Sequence, residues 1–316
     1  MRTAQAEYIF SKSEIRILRE LAKGKRSLSE IEASCSLKPA LLSHNLKRLL
    51  KKGLIETTGQ GNRKYAYFND TKHASLLRDL LISYDYIDWQ NILTCKTIEI
   101  LFQTLTTSGD NLPKFSKATL WRHLRKLKAQ GIITQTEKKY KINPRFSILI
   151  DFLKEYQQFL AIKLSKALSD HAVILWQEDM EFLIRTPKKT QSPPKNFHKT
   201  ATSIFHTYDL PLFSEFNIYL YSTNKKTIRL EDAVLHTLLI EPNNMRYITY
   251  ALLLLKKTEL KIDKTYLMQK AEKLGLKSQI NSMLQFLKTR TQPKDQALPT
   301  WNEFVSKAID YNVVVE

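Results

Sequence analysis

One pattern occurs twice in this chain, 78 residues apart. Lys38-Pro39-Ala40-Leu41-Leu42-Ser43-His44-Asn45-Leu46-Lys47-Arg48-Leu49-Leu50-Lys51-Lys52-Gly53-Leu54-Ile55 is matched by Ser116-Lys117-Ala118-Thr119-Leu120-Trp121-Arg122-His123-Leu124-Arg125-Lys126-Leu127-Lys128-Ala129-Gln130-Gly131-Ile132-Ile133. Leu42, Leu46, Leu49 and Leu50 in the first copy, and Leu120, Leu124 and Leu127 in the second, recur at helical spacing. Each copy therefore predicts a helix with one apolar stripe and a basic outer face. Gly53 and Gly131 stop these helices, because glycine accepts the left-handed conformation common at helix ends. The apolar pairs that follow start a strand. The same basic helix-to-strand unit is thus expected at two places.

The residues around the first copy extend the unit. Ile15, Ile17, Leu18 and Leu21 predict a helix capped by Ser13, and Ser27 or Ser29 can cap a short second helix from Leu28 to Cys35. After the third helix, Leu54 to Thr58 and Arg63 to Phe68 predict a β-hairpin around Gly59-Gln60-Gly61-Asn62. Residues 1–70 form this first unit. Residues 71–93, apolar at helical spacing, form a linker helix. The second unit spans 94–145, with a first helix marked by Ile98, Leu101, Phe102 and Leu105. A shorter hairpin there runs through Ile132-Ile133-Thr134 and Tyr140-Lys141-Ile142. Only a short run containing Pro113 separates its first and third helices, so its second helix is short or irregular.

Residues 146–316 form a different, mixed domain. Phe146 to Leu168 predicts a long amphipathic helix, Ala172 to Gln177 and Glu181 to Thr186 a hairpin, and Phe216 to Tyr221 a strand. Helices follow from Leu230, and Asn312 to Val315 suits an edge strand. The fold class is α+β and helix-rich.

Charge separates the two halves. Fifty Lys and Arg against 31 Asp and Glu give a net charge of +19, an excess that favours a polyanionic partner. Residues 1–145 carry 27 basic and 13 acidic side chains, whereas 146–316 carry 23 and 18. The basic excess lies with the repeated helices.

Ser116 to Leu124 closely resembles the helix start of ArsR- and MarR-type repressors, and each unit resembles a winged helix-turn-helix of the kind found in archaeal-type regulators. The resemblance implies double-stranded DNA as the partner. It turns Lys117, Trp121, Arg122 and Arg125 toward the major groove or its phosphates. Arg122 and Arg125 suit bidentate contacts to guanine, and Ser116 and Lys117 suit phosphate contacts that fix the register. Trp121 suits a thymine methyl or, slightly favoured, packing against a neighbouring helix. In the first copy Lys38 opens the helix, and Pro39, Ser43, His44, Asn45, Lys47 and Arg48 hold the matching exposed positions. Arg63, Lys64, Lys138 and Lys139 at the hairpin tips suit phosphate contact.

Other chemistry is poorly represented. Seven glycines leave little room for a phosphate-binding loop, and seven scattered histidines show no ligand spacing, so neither catalysis nor a metal or cofactor is expected. Two cysteines fit a reducing cytoplasm, and neither a signal peptide nor a membrane span is expected. Leu230 to His236, Arg246 and Tyr250 to Leu255 more weakly resemble helices of nucleotidyltransferase-like proteins and AbiEi-type antitoxins. The Gly-Ser turn and paired aspartates of the active enzymes are absent, so this resemblance implies a non-catalytic scaffold. Glu231 and Asp232 are read as helix-start acids.

The leading expectation is a cytoplasmic transcription regulator, a repressor with two reading heads and a C-terminal domain for dimerisation or a protein partner. A replication initiator or DNA-organising protein and an antitoxin-type regulator are the other readings.

Overall fold

Ser11 opens the first helix of the computed structural model, α1 (Lys12–Ala22). Its hydroxyl accepts the Glu14 N–H at 3.1 Å, and the Glu14 carboxylate accepts the Ser11 N–H at 2.6 Å. Ser27 and Glu30 repeat this reciprocal cap on α2 (Leu28–Cys35). The expected cap at Ser13 is corrected to Ser11, because only Ser11 has a glutamate three residues on. Between the helices lies β1 (Arg26–Ser27), too short to leave a sequence signature. Ser36, in the left-handed region, turns the chain into α3 (Pro39–Lys51). A hairpin follows, β2 (Ile55–Gln60) and β3 (Arg63–Phe68), and β3 also pairs with β1 to give the antiparallel order β1-β3-β2. The hairpin turn is only Gly61-Asn62.

The structure describes residues 9–106, 116–136, 139–188, 193–223, 227–292 and 298–315. It divides into two compact units, Met1–Ile162 and Lys163–Glu316.

The rest of the first unit comprises α4 (Lys72–Ser83), α5 (Trp89–Ile92), α6 (Cys95–Thr106), α7 (Lys117–Ala129) and the hairpin β4 (Ile133–Thr136) and β5 (Lys139–Ile142). The expected short helix before Ser116 lies outside the described residues. A 3-10 turn at Pro144–Phe146 leads into α8 (Ser147–Leu168).

Two boundaries differ from the sequence expectation. Residues 71–93 are no spacer: Ala74, Leu77, Leu80 and Leu81 are buried on α4, which packs on α1, and fully buried Trp89 donates its indole N–H to the Tyr84 carbonyl. Residues 146–162 belong to the first unit rather than the C-terminal domain. Tyr156 on α8 lies 5.5 Å from the Phe152 ring, 5.6 Å from Phe10 and 6.4 Å from Phe102. This aromatic cluster joins the chain before α1, helix α6 and α8 in one core.

In the second unit β6 (Val173–Glu178), β7 (Glu181–Pro187), β8 (Phe197–Lys199) and β9 (Phe216–Tyr221) form an antiparallel sheet in the order β6-β7-β9-β8, with a 3-10 helix at Ala201–Tyr208. Helices α9 (Leu230–Ile240), α10 (Met245–Lys257), α11 (Lys264–Lys273), α12 (Lys277–Thr289) and α13 (Trp301–Asp310) follow. Every residue of α9 is buried, so it is the core helix of this unit. Its Glu231 accepts the Asp263 N–H at 2.7 Å, and Asp232 accepts the Arg229 N–H at 3.0 Å and the Tyr266 hydroxyl at 3.1 Å. Asn312 to Val315 forms no strand; the Val313 N–H instead bonds back to the Ala308 carbonyl at 2.8 Å and its side chain is buried. The chain is α+β and helix-rich, and among the described residues no helix is long and apolar enough to cross a membrane.

Candidate nucleic-acid interface

Helix α3 is held by a buried polar network as well as by leucines. Leu42, Leu46 and Leu49 are buried, and so is Asn45. The Asn45 amide donates to the Leu41 carbonyl at 2.8 Å, and its oxygen accepts the Ser11 hydroxyl at 3.2 Å. Asn45 is therefore no base reader. Glu14, fully buried on α1, lies 2.6 Å from the ammonium of buried Lys52 and 3.2 Å from Arg48 Nε. Arg48 also donates to the Ile9 carbonyl at 3.1 Å. Its guanidinium is thus turned toward α1, which corrects its placement on the outer face. Leu50, expected in the core stripe, is 40% exposed, because it sits at the edge of that stripe, about 70° around the helix from the mean direction of the buried leucines.

Ser43, His44 and Lys47 are exposed and share the outer face of α3, and exposed Lys38 stands at its N-cap. Gly61, at φ +61°, makes the tight hairpin turn, and exposed Arg63 and Lys64 begin β3 just beyond it. Gly53, at φ +64°, ends the helix region, and a Cβ there would come within 2.7 Å of the Phe159 ring. The position needs glycine for both its backbone and its space.

Helix α7 starts at Ser116, whose hydroxyl accepts the Thr119 N–H at 3.3 Å. Leu124 and Leu127 are buried, and His123 is turned inward to bond Thr97 Oγ1 through Nδ1 at 2.8 Å. Burial, then the nearby Lys126 and Arg122 charges, lower the His123 pKa. Ser116, Lys117, Arg122 and Arg125 are exposed. Trp121 is 63% exposed, which corrects the expectation that it packs on a neighbouring helix. At position i+4, the Arg125 guanidinium lies 5.4 Å from the Trp121 ring.

A cleft of about 340 Å³ opens beside these side chains, between α7 and the hairpin. Sequence reasoning missed two of its members, Lys128 and Tyr140. The Lys128 ammonium lies 5.0 Å from the Tyr140 ring and donates to Gln135 on β4. The signal available in the sequence was the i, i+4, i+7 run of Trp121, Arg125 and Lys128. The strand register that brings Tyr140 opposite Gln135 was not readable. Lys138 lies outside the described residues, and Lys139 is described only by its backbone, opposite Thr136.

Residues 11–57, which run from Ser11 through α3 into β2, match the model of the arsR family of bacterial regulatory proteins. This segment is similar to the helix-turn-helix of that family. The arsR-type match ends inside the first hairpin and does not include the second copy of the repeat. Residues 194–313 match a second model, HVO_2833_C, described as C-terminal. No curated protein and no solved structure matches the chain. Among the described residues, no group of three or more His, Cys, Asp or Glu is placed to hold a metal ion.

Proposed function

We propose that this chain is a sequence-specific, double-stranded DNA-binding transcription regulator that represses and acts by binding rather than catalysis. The observation that carries the reading is the match to an arsR-type helix-turn-helix, with a polar and basic outer face on α3 followed by a hairpin whose second strand opens on Arg63 and Lys64. Lys38 and Lys47 hold phosphates, while Ser43 and His44 meet base edges. Arg63 and Lys64 hold the phosphates flanking the groove. Arg48 has no part in this contact set, because its guanidinium serves Glu14 and Ile9.

Helix α7 is the second reading head. Ser116 and Lys117 set its phosphate register, and Arg122 and Arg125 reach base edges. Trp121, with Arg125 on its ring, contacts a thymine methyl or a sugar face. The two heads differ on their outer surfaces, so an asymmetric site suits the protein better than a palindrome. The C-terminal domain serves dimerisation or signal sensing.

Phosphate contacts release counterions, so log K falls with log salt by about 0.9 per phosphate contacted on duplex DNA. The test is a fluorescence anisotropy titration of a genomic duplex selected by the protein, repeated at several salt concentrations. A steep slope is expected. A flat line contradicts the proposal.

A further inference from the structure

The second unit contains a cleft with the composition of a small-molecule site. Strands β7 and β9, the loop before β9 and helix α10 enclose about 580 Å³, inside the range of ligand pockets. Its cations are Arg185, Lys188 and Arg246, against one lining carboxylate, Glu215. Neither arginine is ion-paired among the described residues; each instead lies against a ring. The Arg185 guanidinium is 4.8 Å from the Phe216 centroid. Arg246 is 5.5 Å from Tyr250 and donates from Nε to its hydroxyl at 3.0 Å.

The cations and rings line one space. Burial, then the Glu241 charge, raise the Tyr247 phenol pKa, and both Arg246 and Arg185 pull it back. Both guanidinium groups therefore act on a single hydroxyl in the cleft wall. Phe213, also in the wall, is 92% exposed. An exposed phenyl ring lining the same cleft as guanidinium groups that have no carboxylate partner among the described residues offers one surface for a flat apolar ring and another for an anion.

We propose that this cleft binds a small anion carried on a planar ring, with Arg185 and Arg246 taking the anion and Phe213, Phe216 and Tyr247 taking the ring. A carboxylate or a phosphate on an aromatic ring supplies that chemistry.

The test is isothermal titration calorimetry of the full chain with four probes: benzoate, adenosine monophosphate, inorganic phosphate and neutral adenosine. Binding of benzoate or adenosine monophosphate, at least tenfold tighter than both phosphate and adenosine, is the expected result. Which of the two binds tells carboxylate from phosphate. Arg246→Gln and Phe213→Ser should each weaken that binding at least tenfold. Both side chains are exposed, so the thermal unfolding midpoint should stay at its wild-type value, and a variant that misses that midpoint is replaced by Arg185→Gln. No binding of either ring-bearing anion overturns the proposal. So does phosphate or adenosine binding within tenfold of them, or an affinity that a folded variant leaves unchanged.

Discussion

Helices α3 and α7 come from the same sequence pattern but are secured by different physics. The inner face of α3 carries Asn45, Arg48 and Lys52, all tied to the Ser11–Glu14 cap of α1. The inner face of α7 is apolar, with Leu124 and Leu127 buried and a single histidine bond to Thr97. The outer faces differ as well. That of α3 is polar with two lysines, whereas that of α7 sets an exposed tryptophan among cations. A residue-for-residue leucine match therefore preserved the helix and its packing, while leaving each helix free to find its own anchor and its own contact chemistry.

The largest effect should come from breaking the anchor that only α3 has. Glu14→Gln removes the carboxylate of a buried ion pair, and such a break costs about 3–5 kcal/mol. Urea unfolding should show that loss. A change under about 1 kcal/mol would place the pair with weak surface bridges and remove the distinction from α7.

The two helix-ending glycines sharpen the comparison next. Both have positive φ, so alanine at either costs about 1–2 kcal/mol. At Gly53 the new methyl also meets the Phe159 ring, whereas at Gly131 its nearest neighbour is the end of Arg145 at 3.5 Å. Gly53→Ala should therefore destabilise by about 1–3 kcal/mol more than Gly131→Ala. Equal losses would mean that the Phe159 ring does not pack against Gly53 as described.

Trp121→Ala should change stability by less than about 0.5 kcal/mol, as for an exposed surface residue, while weakening duplex binding. Anisotropy and urea unfolding on the same variant separate these effects. A large stability loss with DNA affinity intact would return Trp121 to a packing role.

The smallest effect is set by pH. His73 stacks on Phe159 at 4.3 Å and its Nε2 bonds the Lys52 carbonyl at 3.0 Å, and burial lowers its pKa below 6.5. The unfolded chain therefore binds the proton more readily. This contribution is complete above about pH 6.5 and is lost as pH falls through the lowered folded value. Thermal midpoints of His73→Gln should fall less than wild type between neutral and mildly acidic pH. Parallel curves would remove His73 from the pH response.

Much of this architecture was legible from leucine spacing and glycine stops, since both report local backbone geometry. The hairpin after α3 followed from that geometry, and the exposed Ser43, His44 and Lys47 from the resemblance to a winged helix. What stayed hidden depended on distant partners. Arg48 looks like any basic residue on a basic helix until Glu14 is seen 3.2 Å away. Asn45 matches an outer position of the repeat, and the Ser11 hydroxyl and Leu41 carbonyl that hold its buried amide are partners that spacing does not reveal. Strand β1 is two residues long, and the packing of residues 146–162 with the first unit rests on aromatic contacts between segments far apart in sequence.

The most direct test of the two-headed reading is a footprint of the protein on a selected duplex at low salt. Wild type should protect two adjacent, non-equivalent segments, and Arg122→Glu with Arg125→Glu should leave only the segment read by α3. One protected segment, unchanged by the charge reversal, would contradict it.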